Sequence, residues 1–480
     1  MANSGQSFAV TSVAGAGKTS TLEAIAKSLP EKKFLYLAFN RSVKDEAVLR
    51  FKTNSISNVH VETAHSLAYR ATGASKYNIH HSGSPGLPEI IELLKIDVPG
   101  DTFIIARHVL NWATAYMNSS ALTLSDCNYI DSLTCETRFF ADENRDMLFE
   151  LASKLLAKMA DGSIPISHDF YLKEYQLSNP ALDYDYILFD EGQDASPVML
   201  DIFLKQSAQK IIVGDSHQQL YSWRYAVDSL KACGFPTMPL SQSFRFGQDI
   251  ADIAMEALRL KHLLDKSIFV PAIIGSKPIA KVLKRDMTTG YIARSNLGLF
   301  DVALGAVTAG KLKNKNFAFE GGFERYTAMS DGSLYDALNL YNGLHKNIRS
   351  DLIASFGSID DMTRYAVNSG DGEMLIATQI VKKHGNYLWD GIKFLKQSQS
   401  PRNSAKIIFS TAHRAKGMQY DNVILADDFI NEMKIRARLN STAGNDVQTA
   451  LLNEEINILY VALTRTKHSI DIPFRITAPF

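Results

Sequence analysis

The chain is short of three things, and each shortage excludes a class of protein. Cysteine comes first: Cys127, Cys135 and Cys233 are the only three in 480 residues, too few to pair completely and spaced unlike a metal site. They read as ordinary thiols of a reducing compartment, so a disulfide-stapled fold is not expected. Net charge is absent as well, with 51 Lys+Arg against 51 Asp+Glu. No overall positive field draws the chain to nucleic acid, and any polyanion site has to be a local groove. Long apolar runs are missing too. Nothing approaches the ~20 apolar residues of a membrane span, and the opening "MANSGQSFAVTSVAGAGK" carries no basic leader with an apolar core. An intracellular chain with no membrane partner is expected, cytoplasmic if bacterial or viral.

What is present is a globular composition, 46% hydrophobic and 21% charged. The length implies two to four domains. "SFAVTSV" (7–13) reads as a strand running through a Gly-rich turn into an amphipathic helix. "FLYLAF" (34–39) is a second strand, "NRSVKDEAVLR" a second helix, and "VHVETAHSLAYRA" a strand, turn and helix. This alternation predicts a parallel sheet covered by helices. From about 72 to 175 helical periods take over, as in "DTFIIARHVLNWATAYM" and "RDMLFELASKLLAKMA". The β/α rhythm returns at "YDYILFD" and "KIIVGD". A weaker helical block runs from about 325 to 400, and a last β/α stretch starts at "AKIIFSTAH". The expected fold class is α/β, with two modules each interrupted by a helical insertion.

"SVAGAGKTS" ends in the Gly-Lys-Thr of a P-loop. Gly15 and Gly17, with Ala16 between them, let the backbone wrap phosphates at a helix N-terminus. Lys18 can reach the β and γ phosphates, and the hydroxyl of Thr19, ahead of Ser20, suits Mg²⁺. Ser12 stands where the pattern opens with glycine. A surface turn would explain "ILFDEGQD" (187–194) by itself. Beside a P-loop its two acids read as the companions of a nucleotidase, Asp190 for Mg²⁺ and Glu191 for the attacking water. In "IIVGDSHQQLYSWRYA" (211–226), a nucleophilic Ser216 has no identifiable partners, whereas Gln218 is available to sense a γ-phosphate. Tyr221 and Trp223 read either as buried core or as a stacking platform for bases. Arg245 in "LSQSFRFG" and Arg465 in "LYVALTRTK" are candidates to neutralise charge developing on that phosphate.

The series as a whole resembles the UvrD/Rep-like superfamily 1A DNA helicases, and within them most the F-box DNA helicase branch. "AGAGKTSTL", "LAFNRSVKDEA", "TAHSLAY", "FDEGQD", "VGDSHQQLYSWR", "LSQSFRFGQDIA", "YIARSN", "STAHRAKGMQYDNVILADDF" and "NILYVALTRTK" follow one another in family order from residue 12 to 467. No F-box is seen. The resemblance implies two RecA-like P-loop domains: 1–71 with 176–245, and 246–310 with 404–480. The spans 72–175 and 311–403 are the insertions. It further implies ATP and Mg²⁺ as cofactors, Phe244 stacking on adenine and Gln419 near the ribose. Phe39, His65, Trp223 and Tyr221 would face single-stranded DNA. Single-stranded DNA and single–double-strand junctions are the implied partners, with a nuclease or repair factor as a protein partner, the chain acting as a monomer. Family members move 3′ to 5′. Four features depart from the family: no glutamine motif is seen before the first strand, Gly192 replaces the usual alanine or aromatic, Gln419 replaces a glutamate, and Tyr225 replaces a glycine. A motor on DNA is therefore expected. The alternatives are a nucleotide-switched subunit that binds DNA or a partner without separating strands, and, more distantly, a small-molecule kinase.

Overall fold

Short apolar runs become strands buried on both faces, as parallel sheets require. "FLYLA" and "YILF" are buried at every position. The computed structural model describes residues 5–80, 85–133, 135–220, 228–276, 287–312, 316–441 and 446–478. Its first sheet holds β1 (Phe8–Ser12), β2 (Phe34–Ala38), β3 (Val59–Thr63), β4 (Tyr186–Phe189), β5 (Gln209–Gly214) and β6 (Thr237–Leu240). They run parallel in the order β3-β2-β4-β5-β1-β6. The second sheet takes β7 (Thr289–Ala293) and β8 (Phe317–Phe319). After a small hairpin of β9 (Ala328–Met329) and β10 (Gly332–Ser333) it adds β11 (Ile407–Thr411), β12 (Tyr420–Leu425) and β13 (Thr466–Asp471). These strands are also parallel, in the order β13-β12-β7-β11-β8. Two parallel α/β sheets of this kind match two RecA-like domains.

Between β3 and β4 the described chain is helical. Its longest helix, Thr102–Asn118, buries Ile105, Ala106, Val109, Trp112 and Ala113 at helical spacing. A second helical block, including Leu334–Tyr341, Ile359–Ser369, Gly372–His384 and Tyr387–Ser398, separates β10 from β11. The span 311–403 also takes in β8, an edge strand of the second sheet, so the helical block proper begins after it. No turn intervenes between β3 and the helix Ala64–Ala71, because Thr63 ends the strand and caps the helix. Its hydroxyl accepts the Ser66 N–H at 3.1 Å.

The two blocks meet. Arg107, on the longest helix, donates from one guanidinium nitrogen to Asp331 (2.6 Å) and Asp371 (2.8 Å) of the second block. One continuous apolar core runs from Leu35 and Phe189 of the first sheet through Trp112 and Leu148 to Leu338, Met362 and Ile380. Among the described residues no helix is long and apolar enough to cross a membrane.

Candidate nucleotide site between the two sheets

The turn after β1 carries the chain into the helix Lys18–Ser28. Gly15 (φ 77) and Gly17 (φ 80) lie in the left-handed region, where a side chain is strained. Gly15 has a second reason to lack one. A Cβ there would lie 2.7 Å from Arg245 Cβ and 2.8 Å from Ser243 Oγ, because the segment after β6 rests on the loop. The Phe244 N–H donates to the Gly15 carbonyl at 2.9 Å. Ser12 keeps its hydroxyl out of the loop by donating to the Gly214 carbonyl at 2.9 Å, stitching β1 to β5. The helix N-terminus thus offers unpaired N–H groups and a positive dipole end to an anion.

Only β5 separates β4 from β1, a distance of about 10 Å at normal strand spacing. Side chains from the ends of β4 and β1 close that gap. Lys18 Nζ donates to Glu191 Oε2 at 2.6 Å, and Thr19 Oγ1 to Asp190 Oδ2 at 3.3 Å. The Tyr36 hydroxyl, from β2, donates to the same Asp190 oxygen. Glu191 adopts φ 53, a backbone conformation that costs a non-glycine residue of order 1–3 kcal/mol. Lys18 and the Gln193 amide, 2.6 Å from Oε2, hold its carboxylate in place. Although burial opposes it, the Lys18 and Lys416 charges bring Glu191 down to about 2, so it stays ionised. Asp190 is held above the ordinary carboxylate range by burial and then by the Glu191 charge. A hard, all-oxygen pair of a hydroxyl and an under-neutralised carboxylate beside a phosphate cradle fits Mg²⁺, which takes few protein ligands and completes its shell with water and phosphate.

The second sheet supplies two cations, Arg465 and Lys416, and the segment after β6 supplies Arg245. Arg465 follows the helix Asp446–Leu463 and is 1% exposed. It donates to the Val461 carbonyl at 2.8 Å, the Thr464 hydroxyl at 3.1 Å and Gln218 Oε1 at 3.3 Å. Burial, then the adjacent Arg245 charge, pushes it down to about 9. Arg245 donates to the Thr464 carbonyl at 2.9 Å, and its buried Nε has no partner among the described residues. Two neighbouring guanidiniums with so little neutralising charge form a site for an anion. Lys416 reaches across from the second sheet to the buried Asp194 and to the Gln218 carbonyl at 2.6 Å. Burial raises Asp194 to about 6 despite that ammonium. Tyr460 closes the back of the site. Its hydroxyl donates to Asp215 at 3.2 Å and accepts from the Ala14 N–H at 3.1 Å.

These groups surround one cavity of about 370 Å³. Gly15, Ala16, Gly17, Lys18, Thr19, Ser20, Asp190, Glu191, Gln218, Arg245, Gln419 and Arg465 all line it, so residues scattered over most of the chain converge. Phe39 lines it too, at the end of β2, rather than standing apart from it. Phe244 is outside the lining, 63% exposed beside the P-loop. His65 lies away from the cavity, edge-on to Tyr171 at 6.2 Å with Nε2 3.5 Å from Asp169. Tyr221 and Trp223 lie outside the described residues. Sequence reasoning missed Tyr36, Asp194, Asp215, Lys416 and Tyr460. A buried tyrosine in an apolar strand needs a partner for its hydroxyl, and for Tyr36 and Tyr460 that was the available signal.

Comparison with known proteins agrees with this geometry. Residues 1–224 match the AAA domain family, and residues 382–473 match the UvrD-like helicase C-terminal domain. Both matches, in this order on two parallel sheets, support a UvrD-like superfamily 1 helicase. More particularly, the chain is similar to F-box DNA helicase 1 of Gallus gallus, at 29% identity over 96% of this chain and 47% of that protein. It is similar also to F-box DNA helicase protein 1 of Schizosaccharomyces pombe, at 28% identity over 99% of this chain and 56% of that protein. The chain spans about half the length of these curated relatives.

Proposed function

We propose that the chain is an ATP-driven motor that steps 3′ to 5′ along single-stranded DNA and separates duplex ahead of it. What carries this reading is the gathering of Lys18, Glu191 and Gln218 from the first sheet with Arg245 and Arg465 in one cavity. Lys18 and the N–H groups of the loop bind the β and γ phosphates. Thr19 and Asp190 hold Mg²⁺, which when bound neutralises charge on the phosphate oxygens. Glu191 accepts a proton from the attacking water, Gln218 senses the γ-phosphate, and the two arginines stabilise the charge that develops on it. Phe244 offers an exposed face to adenine, and Gln419 a hydrogen bond to the ribose. Because Arg465 and Lys416 arrive with the second sheet, turnover depends on how the two sheets approach each other, and that dependence is what movement requires. His65, with Tyr221 and Trp223, is assigned to the DNA path, while Phe39 stays with the nucleotide cavity it lines.

The test is ATP hydrolysis by the purified chain with and without a deoxythymidine oligomer. Strong stimulation is expected, lost in Lys18→Ala and in Glu191→Gln. Displacement of a protein block from the 5′ end but not the 3′ end sets the direction. Turnover indifferent to DNA removes the reading. Stimulation without block displacement leaves a nucleotide-switched binding subunit in its place.

A further inference from the structure

No motif above includes Lys261. It lies just beyond the helix Gln248–Arg259, in the turn Leu260–Leu263, and is 3% exposed. A lysine is almost never buried unless its ammonium is partnered. Here Nζ donates to Asn457 Oδ1 at 2.6 Å and lies 2.9 Å from His217 Nδ1. Burial and the Lys231 charge bring Lys261 down to about 7, against the pull of Asp215 and Asp228. Burial, with the charges of Lys261 and Lys231, keeps His217 well below its usual value. The imidazole is therefore neutral, and Nδ1 is free to accept the lysine proton.

His217 immediately precedes Gln218, and the grip continues past both. Asn457 Nδ2 donates to the Gln219 carbonyl at 3.0 Å. Lys416 holds the Gln218 carbonyl, and Arg465 its side chain. Leu220 is fully buried in the apolar core built around β7, β11 and β12. Residues 217–220 start at the end of a first-sheet strand, where Asp215 accepts from the His217 N–H at 3.0 Å and the Gln218 amide at 2.7 Å, and side chains packed on the second sheet hold them from the other side. Lys261 is the member of that grip whose loss frees His217 without touching the cavity, since it does not line it.

We propose that Lys261 is a positioning residue: by joining His217 to Asn457 it sets Gln218 against the γ-phosphate and ties hydrolysis to the placement of the second sheet. This rests on the motor reading above. The experiment is steady-state ATPase of the full chain, with and without a deoxythymidine oligomer, for wild type, Lys261→Met and Lys261→Arg. Lys261→Met should lower kcat about tenfold or more, in keeping with the cost of a misplaced catalytic group. KM for ATP should stay within about twofold, because phosphate binding is untouched. The DNA stimulation should shrink towards unity. Lys261→Arg, which keeps a cationic donor for both acceptors, should restore most of it. If Lys261→Met does not fold, Asn457→Ala removes the other end of the bridge and must give the same split. A DNA-stimulated wild type with an unchanged Lys261→Met variant overturns the positioning role alone. So does a variant whose KM rises in step with its loss of kcat. A wild type that DNA does not stimulate overturns the motor reading itself.

Discussion

Replacing Gly15 or Gly17 with alanine separates two costs that normally arrive together. Both glycines have positive φ, 77 and 80, and forcing an L residue there costs roughly 1–2 kcal/mol. At Gly17 that is nearly the whole effect, because an added Cβ meets nothing closer than Ser20 Cβ at 4.0 Å. At Gly15 the same methyl comes within 2.7 Å of Arg245 Cβ and 2.8 Å of Ser243 Oγ, with the Arg245 backbone nitrogen at 3.3 Å. Overpacking of that kind costs about 1–3 kcal/mol more. Gly15→Ala should therefore destabilise the nucleotide-free protein by ~2–5 kcal/mol and Gly17→Ala by ~1–2 kcal/mol. Urea unfolding followed by circular dichroism reads the difference. The strain at Gly15 also pushes Arg245, and a ~1 Å displacement of such a group lowers turnover by about 10²-fold. Adding Ser243→Gly to Gly15→Ala removes one of the two clashing atoms and should recover about 1 kcal/mol as a coupling between neighbours. Equal losses at the two glycines, or a milder one at Gly15, would refute the close approach of the segment after β6 to the loop.

Arg465→Ala should reduce DNA-stimulated kcat by about 10³-fold while leaving nucleotide affinity within a few-fold, measured by turnover and by binding of a fluorescent ATP analogue. Asp194 gives a pH signature. Burial raises it to about 6, so the folded chain holds that proton more tightly than the unfolded one. Stability falls as pH rises from ~4 to ~6, by roughly 3 kcal/mol, and Asp194→Asn should flatten that window in urea titrations. Arg107→Met strands Asp331 and Asp371 without their cation, which should cost ~3–5 kcal/mol and open the helical blocks to limited proteolysis. Replacing both aspartates with asparagine in that background should recover much of the loss. DNA affinity should fall linearly on a log–log plot against salt despite the zero net charge. A flat response would count against a phosphate-lined groove.

The parts of the fold that were legible in sequence are those where backbone geometry dictates residue type. The Gly-rich turn needs positive φ at Gly15 and Gly17, and "ILFDEGQD" shows a buried strand ending in acids. Both announce themselves locally. β8 did not: "FAF" between polar flanks is too short to show a period, and only its pairing with β11 makes it a strand. Tyr36 sits in an apolar run where every residue is buried, so nothing local sets its hydroxyl apart. Its partner Asp190 is reached only because β2 neighbours β4. Lys261, Lys416 and Asn457 were hidden for the same reason. Each follows or lies within an amphipathic helix or turn like any surface residue, and its role appears only when segments about 200 residues apart are packed together.

The contact between the inserted blocks has a mechanical consequence. The sheets are fastened twice, once through the cations and amide at the phosphate end and once through Arg107 and the shared apolar core. A frame pinned at two places cannot slide apart along its seam. Sliding would break both fastenings at once, whereas rotation about either one would break only the other.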